Sequence, residues 1–362
     1  MIKLLIVDDS ALMRRQLVTL FQAEGDFEIH QARNGAEAVK ENREFLPDVV
    51  TLDINMPEMD GLTALSLIMA ERPVAVIMVS SLTDEGALAT FEALNLGAVD
   101  YVAKPGGTIS LSIDKITKEL VQKVRGAALA LPRGKATTRA ALTRRLQAGR
   151  KSAADVSAQS VSSGGQASEA STSGLLVIGA STGGPRALEI VLAALPANFP
   201  WPVIVAQHMP AAFTKSFAGR LNQCCALTVT EAASALPLEV GKIYIARGGA
   251  DMIVVKRADR LMVMPAPENS KFLWHPSVEL MGRSVLEHCD SKRVTAVLLT
   301  GMGSDGSDAF AEIKRRGGRT IAESEDSAVV YGMPAELVAK GGATMVLPVE
   351  RIAAQVSTWA GR

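Results

Sequence analysis

Residues 175–184 read LLVIGASTGG, an apolar run that stops at a turn of small residues, and RALEIVLAAL follows at 186–195 with helical spacing. A short apolar run bounded by glycines is a buried strand, and the 3.6-residue pattern after it is the helix packed on that strand. The same strand-then-helix alternation continues outward. Strand-like runs recur as PVIVAQ, KIYIA, MIVV, LMVM, TAVLLT, TIAES and TMVLP, with DAFAEIKRRG as a further helical stretch. Residues 174–362 are therefore expected to form an α/β domain, doubly wound around a mostly parallel sheet. Towards the N-terminus, KLLIV, DFEIHQA, DVVTLDI, VAVIMVS and DYVAK read as five more strands. Helices are expected to begin near Ala11, Gly35, Gly61 and Asp84 and after Lys104. Residues 1–125 thus form a first α/β domain, a five-stranded parallel sheet with helices on both faces.

Between the two lies a stretch of different composition. From 126 to 173 Ala, Ser, Thr, Gly and Arg dominate, and seven Lys or Arg occur from Arg133 to Lys151 without an acidic residue. That is the signature of a flexible linker. Over the whole chain 38 basic and 38 acidic side chains cancel, which argues against nucleic acid as a partner. No apolar run is long enough to span a bilayer, so no membrane insertion is expected and the cytoplasm is the expected location. Cys224, Cys225 and Cys289 make an odd set without zinc-ligand spacing, and are read as reduced, buried thiols.

Ligands of an open parallel sheet sit at the carboxyl ends of its strands. In the first domain those ends carry Asp8 and Asp9, Asp53, Ser80 with Ser81, and Lys104-Pro105. Three carboxylates suit a hard cation such as magnesium, and one of them can attack phosphorus while Lys104 offsets the phosphoryl charge and Ser80 donates to it. Asp60 and Asp100 are read as turn or cap residues. Asp8-Asp9, Asp53 with Met56-Pro57 and Asp60-Gly61, Ser80, Tyr101 and Lys104-Pro105 stand in the order of a response-regulator receiver, which residues 1–125 closely resemble. The resemblance implies a flavodoxin-like fold with Asp53 as phosphoacceptor. It also implies Mg2+ held by Asp8, Asp9, Asp53 and the Asn55 carbonyl, and a phosphate-sensing set of Ser80, Tyr101 and Lys104.

In the second domain the strand ends carry Ser181 within Gly179-Ala180-Ser181-Thr182-Gly183, then His208-Met209-Pro210, then the loop Gly301-Met302-Gly303-Ser304-Asp305-Gly306. A hydroxyl on a tight strand-to-helix turn, an imidazole and a carboxylate are the parts of a nucleophilic triad. The order Ser181, His208, Asp305 differs from the Ser–acid–His order of α/β-hydrolases. A Ser181–Asp251 triad completed by His275 or His288 would satisfy that order in less convincing surroundings. Asp308, the rival acid, is read as a helix N-cap.

Receiver, linker, GASTGG, QHMP, GMGSDG and YGMP together resemble the chemotaxis protein-glutamate methylesterase family, known as CheB. The resemblance implies Ser181 as nucleophile, His208 as general base, Asp305 as orienting acid, and the Met302 backbone N–H as an oxyanion donor. It implies no cofactor for the esterase reaction. The expected reaction is hydrolysis of glutamate γ-methyl esters, with deamidation of glutamines, on methyl-accepting chemoreceptors under control of a chemotaxis histidine kinase. The family carries His, a variable residue, then Pro-Ser-Val-Asp near its cleft. Here Trp274-His275-Pro276-Ser277-Val278-Glu279 stands instead, a departure expected to leave the triad untouched. Ile54-Asn55 also replaces a position where Glu is frequent. The competing readings are a receiver fused to a non-enzymatic binding domain, a transcriptional regulator (disfavoured by the charge balance and the α/β output half), and the same esterase in a non-flagellar chemosensory pathway.

Overall fold

The computed structural model describes residues 1–80, 84–104, 112–130 and 174–361. The N-terminal domain alternates β1 (Ile2–Val7), α1 (Ala11–Glu24), β2 (Phe27–Ala32), α2 (Gly35–Glu44), β3 (Val49–Asp53), α3 (Gly61–Glu71), β4 (Ala75–Ser80), α4 (Asp84–Leu96), β5 (Asp100–Ala103) and α5 (Ser112–Ala130). Its five strands are parallel in the order β2-β1-β3-β4-β5. That order reverses direction between β1 and β3, which opens a crevice over Asp8, Asp9 and Asp53. The helices start where a side chain satisfies a free N–H: Ser10 accepts from Met13, Asn34 from Glu37 and Asp60 from Thr63. Asp60 is thus the cap that the sequence predicts. Asp100 is instead buried, pairing with Lys123 at 3.2 Å and accepting from the Tyr101 N–H.

The C-terminal domain contains β6 (Leu175–Ala180), α6 (Gly184–Ala193), β7 (Val203–Gln207), α7 (Ala211–Cys224), β8 (Thr228–Ala232), β9 (Leu236–Pro237) and β10 (Lys242–Ala246). Next come β11 (Asp251–Arg257), β12 (Arg260–Ala266), α8 (Val278–His288), β13 (Val294–Leu298), α9 (Ser307–Arg315), β14 (Arg319–Glu323), α10 (Met333–Ala339), β15 (Met345–Leu347) and α11 (Val349–Ala360). Seven strands form a parallel sheet ordered β15-β14-β13-β6-β7-β10-β8. The central strands β6, β7 and β13 are buried along their whole length, as expected of strands covered by helices on both faces. The switch point falls at β6, flanked by β7 on one side and β13 on the other. The ends of these three strands carry the predicted triad.

Further details differ from the sequence reading. MIVV and LMVM form the antiparallel pair β11–β12, which with β9 makes a separate three-stranded sheet. Helix α5 runs to Ala130, so the first residues assigned to the linker are helical, and 131–173 lie outside the described residues. The N-cap of α9 is Gly306, with Asp308 in the first turn paired to Lys340. The cysteines are all free thiols, but Cys224 is exposed and Cys225 and Cys289 are half-buried, so burial is not their common feature. Among the described residues, no helix is long and apolar enough to cross a membrane.

The two domains pack directly on each other. Phe91 of α4 stacks on Phe217 of α7 at 5.6 Å between ring centroids, and Tyr101 of β5 lies 4.7 Å from Phe213 of α7. Arg220 of α7 donates to Asn95 of α4. Gly126 of α5 faces the Met302 side chain so closely that a Cβ there would stand 2.4 Å from its sulfur.

Candidate active site

Strand β6 delivers Ser181 into a turn that only glycines allow. Gly183 has φ +77°, and a Cβ on Gly184 would lie 2.0 Å from the Gln207 side-chain oxygen. The turn is closed by Gly184 N–H donating to the Ser181 carbonyl at 2.7 Å and by Ser181 N–H donating to the Thr300 carbonyl at 3.0 Å. At the end of β7 the Gln207 amide donates to the carbonyls of both Ser181 and His208, at 2.9 and 3.0 Å. One buried side chain therefore ties the backbone of the hydroxyl to that of the imidazole.

The side chains meet as a chain of hydrogen bonds. His208 Nδ1 lies 3.0 Å from Ser181 Oγ, and His208 Nε2 lies 2.8 Å from Asp305 Oδ2. The neutral tautomer with its hydrogen on Nε2 donates to Asp305 and leaves Nδ1 free to accept the serine proton. The rival acid–imidazole pair exists as well, since His275 Nδ1 stands 3.1 Å from both Asp251 oxygens, but the partner of Ser181 is His208.

Asp305 is held by more than the imidazole. Ser277 Oγ donates to its Oδ1 at 2.9 Å, Val278 N–H to its Oδ2 at 2.6 Å, and Glu279 N–H to its Oδ1 at 3.0 Å. These donors form the N-terminus of α8, where backbone N–H groups and the helix dipole favour an anion. Burial alone would push this carboxyl up. The His208 ring and the two N–H groups outweigh burial and hold it below the usual carboxylate value.

This corrects the expectation that the departure at 274–279 leaves the triad untouched. The segment supplies three donors to Asp305, and the Trp274 indole stacks on the His208 ring at 4.9 Å and 14° between planes. Glu279 also has a visible task. Its side chain reaches across to accept from the Ala309 N–H at 2.9 Å, capping α9, whose own N-cap Gly306 has no side chain to do so. Glu323, buried at the end of β14, accepts from the Thr300 N–H at 2.8 Å and steadies the loop behind Ser181. Sequence reasoning missed Gln207, Ser277, Glu279 and Glu323 as contributors; Gln207 and Glu323 carried a signal, each being the last residue of its strand.

In the first domain one oxygen each from Asp8, Asp9 and Asp53 falls within 4.8 Å of the others. Lys104 Nζ sits 2.9 Å from Asp8 and 2.7 Å from Asp53. Burial and the neighbouring Asp8 charge push the Asp53 carboxyl up despite Lys104. Three carboxylates against one ammonium leave negative charge in a largely buried pocket, and all the donors are oxygens. The set fits a hard divalent cation such as Mg2+. Asn55 reaches Asp53 through its backbone N–H. Ser80 is buried and donates to the Gly86 carbonyl at 3.2 Å, while Ser81 lies outside the described residues. The Tyr101 ring is buried between Lys123, whose Nζ lies 5.2 Å from its centroid, and Phe213 of the other domain. Burial drives its phenol well above the usual value.

Comparison with known proteins finds a match to each part of the chain. Residues 4–113 match the response regulator receiver domain and residues 176–356 match the CheB methylesterase family model. A "Protein-glutamate methylesterase/protein-glutamine glutaminase 3" of Rhodospirillum rubrum is 53% identical over 100% of this chain and 97% of its own. A "Protein-glutamate methylesterase/protein-glutamine glutaminase 2" of Rhodopseudomonas palustris is 52% identical over 99% and 98%. The crystal structure of the Thermotoga maritima CheB methylesterase catalytic domain superposes with a TM-score of 0.50 at 36% identity, covering 51% of this chain and 98% of that one. With a receiver sheet ahead of it and likeness to these relatives along its whole length, the chain belongs to the CheB family of response-regulator methylesterases.

Proposed function

We propose that this chain hydrolyses glutamate γ-methyl esters on methyl-accepting chemoreceptors, and deamidates glutamines there, when a chemotaxis histidine kinase phosphorylates Asp53. The observation that supports this most is the unbroken sequence of contacts Ser181–His208–Asp305 at the switch point of the C-terminal sheet. In this mechanism His208 Nδ1 takes the Ser181 proton as Oγ attacks the ester carbonyl. The tetrahedral oxyanion is met by the Met302 N–H, one residue beyond Gly301, which packs against Ser181. On collapse the carbonyl–oxygen bond breaks, and the imidazolium returns its proton to the departing methoxide, giving methanol and an acyl-enzyme. Water repeats the cycle through the same base and releases the glutamate side chain. A glutamine enters the same route and leaves ammonia.

In the receiver, Asp8, Asp9, Asp53 and the Asn55 carbonyl would hold Mg2+, which neutralises phosphoryl oxygens during transfer. Asp53 is the acceptor, Lys104 pairs with the phosphoryl group, and Ser80 and Tyr101 carry the change outward. Tyr101 touches Phe213 and α5 covers Met302, so repacking of the receiver bears on the esterase loop directly. Kinase, receptor tails and enzyme would meet in the cytoplasm. Methanol release from methylated receptor, measured with a small-molecule phosphodonor and Mg2+, tests the reading. Parent protein should turn over and Ser181→Ala should fall to background; turnover by Ser181→Ala would refute it.

A further inference from the structure

We propose that Trp274 is a positioning residue for the catalytic base, holding the His208 ring in plane and sheltering the imidazolium that forms when Ser181 is deprotonated. The proposal rests on the reading of His208 as that base. His208 is fixed at two in-plane points, Ser181 at Nδ1 and Asp305 at Nε2. Hydrogen bonds tolerate a spread of angles, so these two still let the ring tilt by small side-chain torsions. A nearly parallel aromatic face at 4.9 Å removes that freedom. The contact also gains strength when it matters, because the negative face of an indole attracts an imidazolium more than a neutral imidazole. An interaction stronger in the charged state than in the resting state lowers the barrier rather than merely the ground state.

The indole sits on a braced segment. Its neighbour His275 reaches Asp251 at 3.1 Å, the Ser277 N–H donates to the same carboxylate at 2.8 Å, and the Ser277 hydroxyl continues to Asp305 at 2.9 Å. Asp251 is buried, so this anchor is shielded from solvent competition. Trp274 stands two places before Pro276, at the start of this segment, and its indole carries no titratable proton of its own.

Full-length protein with phosphodonor and Mg2+ provides the test, with Trp274→Leu and Trp274→Phe as variants. Two readouts are taken: kcat and KM for methanol release, and the rate at which a fluorophosphonate probe labels Ser181. Trp274→Leu should lose ~10-fold in kcat, the scale of one desolvated cation–π contact. Its KM should stay within about twofold and the labelling rate should fall in parallel. Trp274→Phe, which keeps a face over the ring, should recover most of both. An unchanged kcat in Trp274→Leu, a loss confined to KM, or equal losses in Leu and Phe would each overturn the proposal. Parent protein that labels but releases no methanol would remove the substrate reading while the labelling rates still decide the role of Trp274. Failure of the parent to label would remove the serine-hydrolase reading and this proposal together.

Discussion

Asp305 accepts from four groups, the His208 ring, the Ser277 hydroxyl and two N–H groups of α8, so its charge is built into the fold as well as the chemistry. Its carboxyl is held below the ordinary value of 3.8. A depressed pKa adds stability that is full above the unfolded value and is lost as pH falls through the folded one. Asp305→Asn should therefore lower stability by about 2 kcal/mol at pH 7. The gap to the parent should narrow on acidification below the unfolded value, as read by denaturant melts across pH; a gap that is constant or widens would contradict this. Ser181, His208 and Asp305 were legible in the sequence because each ends or closely follows an apolar run, and strand ends of a parallel sheet share one rim. Their supports were not legible. Ser277 and Asp305 are 28 residues apart and Glu279 and Ala309 are 30 apart, and their contact depends on how α8 and α9 pack, which no local pattern encodes.

At the scale of elements, α9 begins at a left-handed glycine directly after Asp305, so its free N–H groups need a donor-satisfying partner from outside the helix. Glu279 is that partner. Glu279→Ala should cost about 1 kcal/mol, the usual worth of a helix cap, and reduce activity through loss of order in the Asp305 loop. Glu279→Gln, which keeps the acceptor oxygen, should recover most of the stability in thermal melts; equal losses would show that the cap is not what Glu279 contributes. The β11–β12 hairpin illustrates what local reading leaves open. MIVV and LMVM are continuous apolar runs of strand length, but such a run does not say which sheet a strand joins. The turn between them, Ala258-Asp259, takes positive φ at both residues without the Asn-Gly or Asp-Gly pair that announces such a hairpin. Strand β8 was missed because the edge of the sheet leaves TVTEA half polar.

Across the whole molecule the receiver rests on the esterase through aromatic contacts and through α5. Gly126 touches the side chain of the residue proposed to meet the oxyanion. Gly126→Val should push the Met302 side chain aside and loosen that contact, raising methanol release without phosphodonor several-fold; release no faster than the parent's would contradict this. Residues 174–362 alone should be active without phosphodonor; a folded but inactive fragment would refute simple occlusion by the receiver.

The central claim is that Ser181, His208 and Asp305 work as one unit, and paired substitution tests it most directly. Methanol release should be measured for Ser181→Ala, His208→Ala and the double variant with phosphodonor present. Groups that act together lose nearly everything when either is removed. The double variant should therefore be no slower than the slower single variant; losses that multiply would mean that the hydroxyl and the imidazole act independently, and the account would fail.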